Sequence, residues 1–403
     1  MRKRILSVFM VLCLMMVIAP ATFATGEVQA DISWYESGNY TLTDVSDLAG
    51  FAVLVNGGED FSGKTVALGN PINCGGASLI PIGNEDNDFS GIFNGNNYTI
   101  SNATIVNASG SCLSGFFGNV GKNGEVNSFT LDSIVVRNNS SDGEETSTGI
   151  AVARLSGTIS NVNTTATCAV SGSYRTGGIV GDGRGADAYI SLCVNRATVT
   201  GGSNYTGGIV GAGHDLPILG RSGVTVTNCD NYGAVSGVNE VGGIIGYADQ
   251  ADINNCDNRG IVTGTGNYGT GGILGFDVFN AIGISFLETD HGSTISYCNN
   301  YNEVSGLRAG GILGTFGAAP GDSQPGSKIY STISNCTNAG EISGTDGKTG
   351  SIFGYQITYR YGDGDSNINN LYVKIQSCSN TGTVNNYSAS ESPLSGSVYV
   401  EVS

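Results

Sequence analysis

Apolar and polar positions follow one repeating pattern between residues 176 and 354. A pair of large apolar residues is enclosed by glycines at 207–211, which reads Gly-Gly-Ile-Val-Gly, and an alternating segment follows at 226–237. Copies of the glycine-enclosed segment begin at Thr176, Thr206, Val241, Thr270, Ala309 and Thr349. Self-similarity at a period of a few tens of residues is typical of stacked repeats, so the pattern predicts a solenoid with one coil per copy.

The spacing of the copies predicts where the solenoid carries loops. The first glycines of successive copies, from Gly177 onward, are 30, 35, 29, 39 and 40 residues apart, so the shortest spacing marks one complete coil. The additional residues fall mostly at one point of the repeat. This predicts loops on one face of the solenoid, at 212–223, 276–293, 315–331 and 355–373.

Six cysteines occupy one position of the alternating segment. They are Cys193, Cys229, Cys256, Cys298, Cys336 and Cys378. An earlier copy has Val162 at this position, and a site that accepts valine or cysteine predicts an inward ladder of buried free thiols. Stacked coils lie about 4.8 Å apart, so disulfides between coils are the alternative. Zinc is disfavoured because His214 and His291 lie outside the repeated segments and no Cys-x-x-Cys pair occurs.

The residues around each cysteine predict the course of one coil. An isoleucine or valine lies three positions before the cysteine, so the backbone must bend or bulge between them if both point inward. Asparagine two positions after it, as at Asn231, and glycine four positions after it, as at Gly233, are expected to turn the chain with positive φ. Stacked asparagines also predict a ladder of side-chain amides.

The N-terminal region has a different pattern. Arg2, Lys3 and Arg4 precede an apolar run at 5–18, which predicts a signal peptide over 1–30, cleaved after Ala24 or Ala30. A strand is expected within 31–45. A short amphipathic helix should follow, capped by Ser46 and stopped at 56–58, and it should cover the open end of the solenoid.

Short β-prone runs bounded by glycine or asparagine connect this helix to the regular repeats. They lie at 64–68, 80–83, 89–95, 98–105, 113–118 and 126–136, and a divergent coil occupies 149–172. The sequence therefore predicts an all-β fold, a parallel β-helix with a short N-terminal capping helix. Residues 31–110 would form the cap and leader coils, and 111–403 the repeats.

The repeat resembles the GLUG motif of exported bacterial proteins, named for Gly-Leu-hydrophobic-Gly. The segments 178–181, 208–211, 243–246, 272–275 and 311–314 carry it, each with isoleucine in place of leucine. The resemblance implies a right-handed parallel β-helix and an adhesin-like role at the cell surface or in secreted form. Some relatives are immunoglobulin-A-cleaving metallopeptidases, but this chain has no His-Glu-x-x-His, so that activity is not implied.

Charge and hydropathy narrow the range of partners. The chain carries 17 lysines and arginines against 34 aspartates and glutamates, a net charge of −17. Such a surface repels phosphate backbones, so a nucleic-acid partner is not expected. No second long apolar run follows the signal peptide, so no membrane span is expected after its cleavage. The predicted location is secreted, with cell-surface association as the alternative.

Three aromatic residues are candidate ligand-binding residues. Tyr247, Phe276 and Tyr355 each follow the last glycine of a glycine-enclosed segment, so they should align along the solenoid. Exposed rings in a row would stack against an extracellular glycan or a surface protein. The alternative is that these rings pack against each other as a ladder between coils.

Carboxylates offer two weaker candidate sites. Asp182, Asp215, Asp249 and Asp277 follow the glycine-enclosed segments, and converging carboxylates would suit a polysaccharide-acting enzyme, a lyase or glycosidase. Their offsets differ, so a solvated face is favoured. Asp363, Asp365 and Asn367 space oxygen atoms as a calcium loop would, without the distal glutamate of an EF-hand. No other cofactor is expected.

Three functional hypotheses follow from these patterns. The favoured one is a non-catalytic binding or adhesion module that contacts glycans or host proteins. The second is the polysaccharide-acting enzyme, and the third is a passive stalk within a longer surface protein.

Overall fold

The structure is a computed structural model. It describes residues 28–106, 111–138, 146–185, 187–214, 223–280, 292–319, 329–345, 348–358, 371–385 and 400–402. Two helices lie near the N-terminus of this part, α1 (Ser33–Glu36) and α2 (Val45–Asn56). None of its helices is both long and apolar enough to cross a bilayer.

All other regular elements of the described residues are strands, and most of them are short. Before the regular coils these are β1 (Thr41–Leu42), β2 (Thr65–Leu68), β3 (Ile72–Leu79), β4 (Ile92–Ile105), β5 (Leu113–Ser114), β6 (Phe117–Val120), β7 (Glu125–Arg137), β8 (Ser147–Gly149), β9 (Val152–Leu155), β10 (Thr158–Thr164) and β11 (Ala169–Gly172). The regular coils contain β12 (Arg175–Gly177), β13 (Val180–Arg184), β14 (Tyr189–Ser191), β15 (Val194–Asn195), β16 (Thr198–Gly201), β17 (Asn204–Gly207), β18 (Val210–His214), β19 (Thr225–Thr227), β20 (Asp230–Asn231), β21 (Val235–Gly237), β22 (Asn239–Gly242), β23 (Ile245–Asp249), β24 (Asp252–Asn254), β25 (Asp257–Asn258), β26 (Val262–Gly264), β27 (Gly269–Gly271), β28 (Leu274–Asn280), β29 (Thr294–Ser296), β30 (Asn299–Asn300), β31 (Val304–Gly306), β32 (Arg308–Gly310), β33 (Leu313–Ala319), β34 (Ile329–Ser334), β35 (Thr337–Asn338), β36 (Ile342–Gly344), β37 (Phe353–Thr358), β38 (Leu371–Gln376), β39 (Ser379–Asn380), β40 (Val384–Asn385) and β41 (Val400–Val402).

These strands form three parallel sheets that run the length of the stack. Each regular coil gives one strand to a seven-stranded sheet, one to an eight-stranded sheet and three to a large sheet of 26 strands. Equivalent residues pair in register from coil to coil, for example Val226 with Ile253 and Ile253 with Ile295. The predicted parallel β-helix is confirmed.

The insertions begin later than the sequence spacing suggested. The strands of the eight-stranded sheet continue past the glycine-enclosed segment, so β28 reaches Asn280 and β33 reaches Ala319. Residues 215–222, 281–291, 320–328 and 359–370, which make up most of the predicted loops, lie outside the described residues.

A left-handed residue lets the isoleucine and the cysteine of each coil both face the core. Ile253 and Cys256 are both buried, and the intervening Asn255 has φ of 51°. The residue before each ladder cysteine has this conformation: Leu192, Asn228, Asn255, Tyr297, Asn335 and Ser377, with φ between 51° and 55°. The expected bulge is therefore present, but placing positive φ at Asn231 and Gly233 was wrong.

Gly233 is required by contact between coils instead. A β-carbon at Gly233 would collide with the carbonyl oxygen of Ala197 in the preceding coil. Asn231 is wholly buried and faces inward, where it joins a row of amides. The position of these two residues is thus set by packing between coils rather than by turn conformation.

The amide row runs through six coils as predicted. The side-chain nitrogen of each asparagine donates to the side-chain oxygen of the next, at 2.8–2.9 Å, through Asn195, Asn231, Asn258, Asn300, Asn338 and Asn380. The same nitrogen also donates to a backbone carbonyl two residues on, such as that of Gly260. The hydroxyl of Thr164 donates to Asn195 at 2.7 Å and begins the row. Each buried amide thus has partners on both sides.

The cysteines stack beside the amides as free thiols. Five of the six are wholly buried, and Cys378 is half-buried. Each sulfur lies 3.2–3.4 Å from the carbonyl oxygen two residues earlier, for example Ser296 for Cys298, to which its S–H donates. Burial raises the pKa of the Cys229 thiol, which keeps it protonated and unreactive.

The glycines of the repeated segment allow close backbone approach. In the coil 241–246, a β-carbon at Gly242 would collide with the carbonyl of Ile245, and one at Gly243 with the carbonyl of Gly272 in the next coil. A β-carbon at Gly246 would collide with the backbone of Thr206 in the preceding coil. The corner between the two smaller sheets therefore leaves no room for side chains at three positions.

The N-terminal cap differs from the predicted one in its details. The N-cap of α2 is Asp44, whose side chain accepts from the backbone of Ser46 and Asp47 in a capping box, so the assignment of Ser46 was wrong. Within 31–45, helix α1 precedes the short strand β1. Trp34, α2 and the leader coils together bury a cluster of aromatic rings that includes Phe51, Phe61, Phe89, Phe93 and Phe117. This apolar cluster covers the first coils, as the capping role requires.

Candidate functional site

The three predicted aromatic residues do lie in one row. Tyr247 pairs with Phe276, Phe276 with Thr315, and Thr315 with Tyr355 along the eight-stranded sheet. Phe276 is only 2% exposed, and Tyr247 and Tyr355 are half-buried. The expectation of exposed rings is therefore wrong for Phe276, because the rings pack between two sheets.

The partners of this row lie in, or directly before, strands of the seven-stranded sheet. Ring centroids of Tyr174 and Tyr205 lie 4.9 Å apart, those of Tyr205 and Tyr247 4.3 Å, and those of Tyr247 and Phe276 6.1 Å. We call these four residues the aromatic seam. They form a packed ladder between coils, which is the alternative arrangement that the sequence allowed.

A carboxylic acid is buried against the aromatic seam. Glu240 is the register neighbour of Tyr205, since Asn204 pairs with Asn239 and Thr206 with Val241. Its side chain is buried, and its Oε2 atom has no hydrogen-bond partner among the described residues. Burial raises the pKa of Glu240 to about 8, so the carboxyl group is largely protonated at neutral pH.

The candidate carboxylates do not converge. Asp182 is buried and accepts from Arg184 Nε at 2.7 Å. Asp277 pairs in register with Ala248, so it faces the core, while the following residue Asp249 faces the opposite side of the sheet. Asp215 lies outside the described residues. The described carboxylates therefore form no common groove of the kind that a polysaccharide-acting enzyme would need.

Asp277 instead closes the base of an insertion. It accepts from the backbone nitrogen of Ser293 at 3.1 Å and from its hydroxyl at 2.5 Å, so it joins the two ends of the segment 281–291. Burial raises the pKa of Asp277 to about 6, and the hydrogen bonds from Ser293 oppose this effect.

The predicted calcium loop cannot be placed. Asp363, Asp365 and Asn367 lie outside the described residues. Within the described ranges, no group of three or more His, Cys, Asp or Glu side chains is arranged to hold a metal ion.

A second row of aromatic and charged residues lies on the outer surface of the large sheet. Arg196, Tyr232, Arg259 and Tyr301 each follow an asparagine of the amide row, on four consecutive coils. The backbone nitrogens of the last three donate to the carbonyls of Asn195, Asn231 and Asn258, at 2.7–2.9 Å. These bonds fix the four residues in register. We call them the arginine–tyrosine strip.

The side chains of the strip stack in alternation. The guanidinium carbon of Arg196 lies 5.0 Å from the Tyr232 ring centroid, and that of Arg259 lies 5.7 Å from it on the next coil. Arg259 also lies 4.2 Å from the Tyr301 ring, and its nitrogen pairs with Asp257 at 2.8 Å. Both tyrosines are 44% exposed. The strip is an accessible row of planar polar groups, with the geometry of cation–π contacts.

Sequence reasoning missed this strip although the signal was present. The position three residues after the ladder cysteine reads Arg, Tyr, Arg, Tyr in the first four copies. Searching only for aromatic residues hides the alternation, since the arginines supply half of the row. Of the aromatic residues next to the glycine-enclosed segments, Tyr247 and Phe276 are packed in the aromatic seam.

Comparisons with known proteins give partial likenesses. No protein-family model matches the sequence. Over 109 residues, 27% of its length, the chain is 38% identical to halomucin of Haloquadratum walsbyi, and it spans 1% of halomucin. The chain is also similar to the crystal structure of a candidate immunoglobulin A1 protease from Bacteroides ovatus, with a TM-score of 0.42, 18% identity, and 90% of this chain and 83% of the other covered. The fold assignment rests on the strand pairing of the chain itself.

Proposed function

We propose that the chain is a GLUG-type repeat protein, secreted or held at the cell surface, that acts without catalysis as a binding module. The arginine–tyrosine strip is its contact surface for an extracellular glycan or a surface protein. The predicted signal peptide supports export.

One observation carries the proposal. The strip holds tyrosine and arginine side chains at a fixed spacing on four coils, on a surface that is open to solvent. Tyrosine and arginine are, with tryptophan, the residues enriched in binding hot spots, because they combine large apolar area with directional polar groups. A rigid stack presents them without a further loss of backbone entropy on binding.

The test is a binding screen on the full chain, collected after export, against glycan arrays and extracellular proteins. We expect a ligand whose affinity falls about tenfold or more in the double variant Tyr232→Ser, Tyr301→Ser. The matched control is Tyr189→Ser, Tyr297→Ser, which removes two exposed tyrosines outside the strip. Equal losses in both variants, or no ligand in the screen, would contradict the assignment of the strip.

Catalysis is tested on the same preparation. Incubation with polysaccharides should leave their chain length unchanged, because the described carboxylates do not converge. A shortened product whose formation depends on Asp182 or Asp249 would overturn the non-catalytic proposal in favour of the enzyme.

A further inference from the structure

Among the described residues, the arginine–tyrosine strip ends at a tyrosine that has a cation on only one face of its ring. Arg259 covers one face of Tyr301, at 4.2 Å. On the following coil the equivalent position is Ala339, whose backbone nitrogen donates to the carbonyl of Asn300 at 2.7 Å. Ala339 is exposed despite its small size, so the described neighbours leave the space above it open.

The chain itself shows which chemical group fits such a space. Tyr232 has a guanidinium group on both sides, from Arg196 and Arg259. Tyr301 has one such group, and alanine stands where the pattern would place the next arginine. Because coils lie about 4.8 Å apart, the missing side chain leaves room for about one planar group between Tyr301 and the residue two coils on, Thr381.

Two exposed glutamates lie on the same coils as Tyr301 and Ala339. Glu303 and Glu341 are exposed and lie two residues after Tyr301 and Ala339. Val304 pairs with Ile342, so the two glutamates are neighbours on adjacent coils. Glu341 accepts a hydrogen bond from the amide of Asn385 at 2.6 Å. An accessible aromatic ring with two exposed carboxylates on the same pair of coils favours a cation over a neutral or an anionic group.

We infer that Tyr301, Ala339, Glu303 and Glu341 form a notch that binds the guanidinium group of an arginine in a basic segment of a partner protein. The inference rests on the proposed function of the strip as a contact surface, and it selects a protein partner over a glycan. The net charge of −17 adds long-range attraction for such a segment. Arginine is preferred to lysine because a planar guanidinium stacks on a ring and pairs with carboxylates at its edge.

The experiment measures binding of fluorescent peptides to the full exported chain by fluorescence polarisation. The probes are an arginine-containing peptide, the same peptide with lysine, and the same peptide with citrulline, which keeps the planar shape without the charge. We expect the arginine peptide to bind about fivefold or more tightly than either of the others, and its affinity to fall at high salt. Equal binding of the citrulline peptide would overturn the inference.

Three variants localise the binding. Tyr301→Ala should weaken the arginine peptide about fivefold or more, while Tyr301→Phe should keep most of the affinity because the ring remains. Ala339→Arg should abolish binding by placing the chain's own arginine on the open face. Tyr297→Ala is the matched control, since Tyr297 lies on the same coil and is 57% exposed. Circular dichroism verifies that each variant is folded.

The outcomes separate this inference from the proposed function. If the arginine peptide fails to bind while the screen finds a glycan that requires Tyr232, the notch is wrong and the binding function stands. A loss in Tyr297→Ala equal to that in Tyr301→Ala would also overturn the notch. If neither peptide nor screen gives a strip-dependent ligand, both fail.

Discussion

A single buried asparagine connects three coils of the β-helix. Asn258 accepts from Asn231 at 2.9 Å, donates to Asn300 at 2.8 Å, and donates to the carbonyl of Gly260 at 2.9 Å. Because it is wholly buried, water cannot replace any of these partners. A polar side chain thus holds the register between coils where an apolar one would permit sliding.

Replacing this asparagine should be costly. Asn258→Ala leaves one N–H of the Asn231 amide and the side-chain oxygen of Asn300 without a partner, while the Asn231 amide keeps its bond to the carbonyl of Gly233. We therefore expect a loss of about 2–4 kcal/mol in the free energy of unfolding. Asn254→Ala on the same coil is the control, because Asn254 is exposed and its loss should cost under about 1 kcal/mol. Urea denaturation measures both. Similar midpoints for the two variants would show that the amide row does not stabilise the stack.

The buried Glu240 predicts an unusual pH dependence. Its pKa is raised to about 8 in the folded chain, whereas the ordinary value is 4.5. The folded state therefore binds its proton more tightly than the unfolded state does, and the stability linked to this proton is lost as the pH rises from about 4.5 to 8. Tyr205 on the preceding coil and Tyr247 on the same coil lie near the carboxyl group of Glu240. Burial, together with the charges of Asp249 and Glu240, raises the pKa of Tyr247, so this ring stays neutral.

Glu240→Gln tests this effect because the amide keeps the shape and cannot ionise. We expect equal stability of the two proteins near pH 4 and a variant that is more stable by about 2 kcal/mol or more at pH 9. Thermal denaturation from pH 4 to 9 measures the difference in stability between the two proteins. Asp277 also titrates in this range, but it does so in both proteins and therefore does not affect the difference. A constant difference across this range would contradict the burial of Glu240.

At the scale of one coil, the glycine-enclosed segment is defined by contacts between backbones. A β-carbon at Gly208 would collide with the carbonyl of Gly243 and with the side chain of Asn231. The apolar residues between the glycines, Ile209 and Val210, are wholly buried. The segment therefore combines core packing with a close approach between the backbones of neighbouring coils.

Gly208→Ala should be strongly destabilising, by about 3 kcal/mol or more, since backbone atoms of two coils would have to separate. Gly202→Ala is the matched control six residues earlier, because a β-carbon there meets its nearest atom at 3.4 Å, an ordinary contact. Chemical denaturation compares the two. A mild effect at Gly208 would mean that the corner between the sheets can widen.

The sequence predicted the structure correctly where the residue type alone indicates whether a side chain points into the core. Cysteine exchanging with Val162 indicated burial, and the recurrent asparagine indicated the amide row, because both choices are restricted by what lies directly above and below. It failed where orientation depends on other coils. Phe276 and Tyr232 are both aromatic residues of the repeat. Phe276 is buried because Tyr268, directly before the seven-stranded sheet, packs against it, whereas Tyr232 is exposed. The capping residue Asp44 was missed because Ser46 has the same local chemistry.

The whole molecule behaves as a stack of units with nearest-neighbour contacts. Each regular coil pairs with the coil before and the coil after it, and the aromatic cluster under α2 covers one end. Stability in such an array is roughly the sum of coil and interface contributions. The long-range consequence is that one complete coil can be removed if the register is kept.

Deleting residues 243–271 removes one coil and joins Gly242 to Gly272, which are equivalent to adjacent residues of the repeat. We expect a folded chain with a similar circular dichroism spectrum and a modestly lower denaturation midpoint. Deleting 243–266 instead leaves the pairing out of register, and the coils that follow should unfold or aggregate. Size-exclusion chromatography and circular dichroism distinguish the results. Equal behaviour of the two deletions would refute the unit-by-unit description.

The amide row also has a polarity. Every bond in it is donated from one coil toward the next, starting from the hydroxyl of Thr164. An inverted coil would place two donors or two acceptors face to face. Gene segments encoding a coil can therefore be duplicated in tandem without disturbing this chain of dipoles, and the protein can lengthen by head-to-tail copying alone.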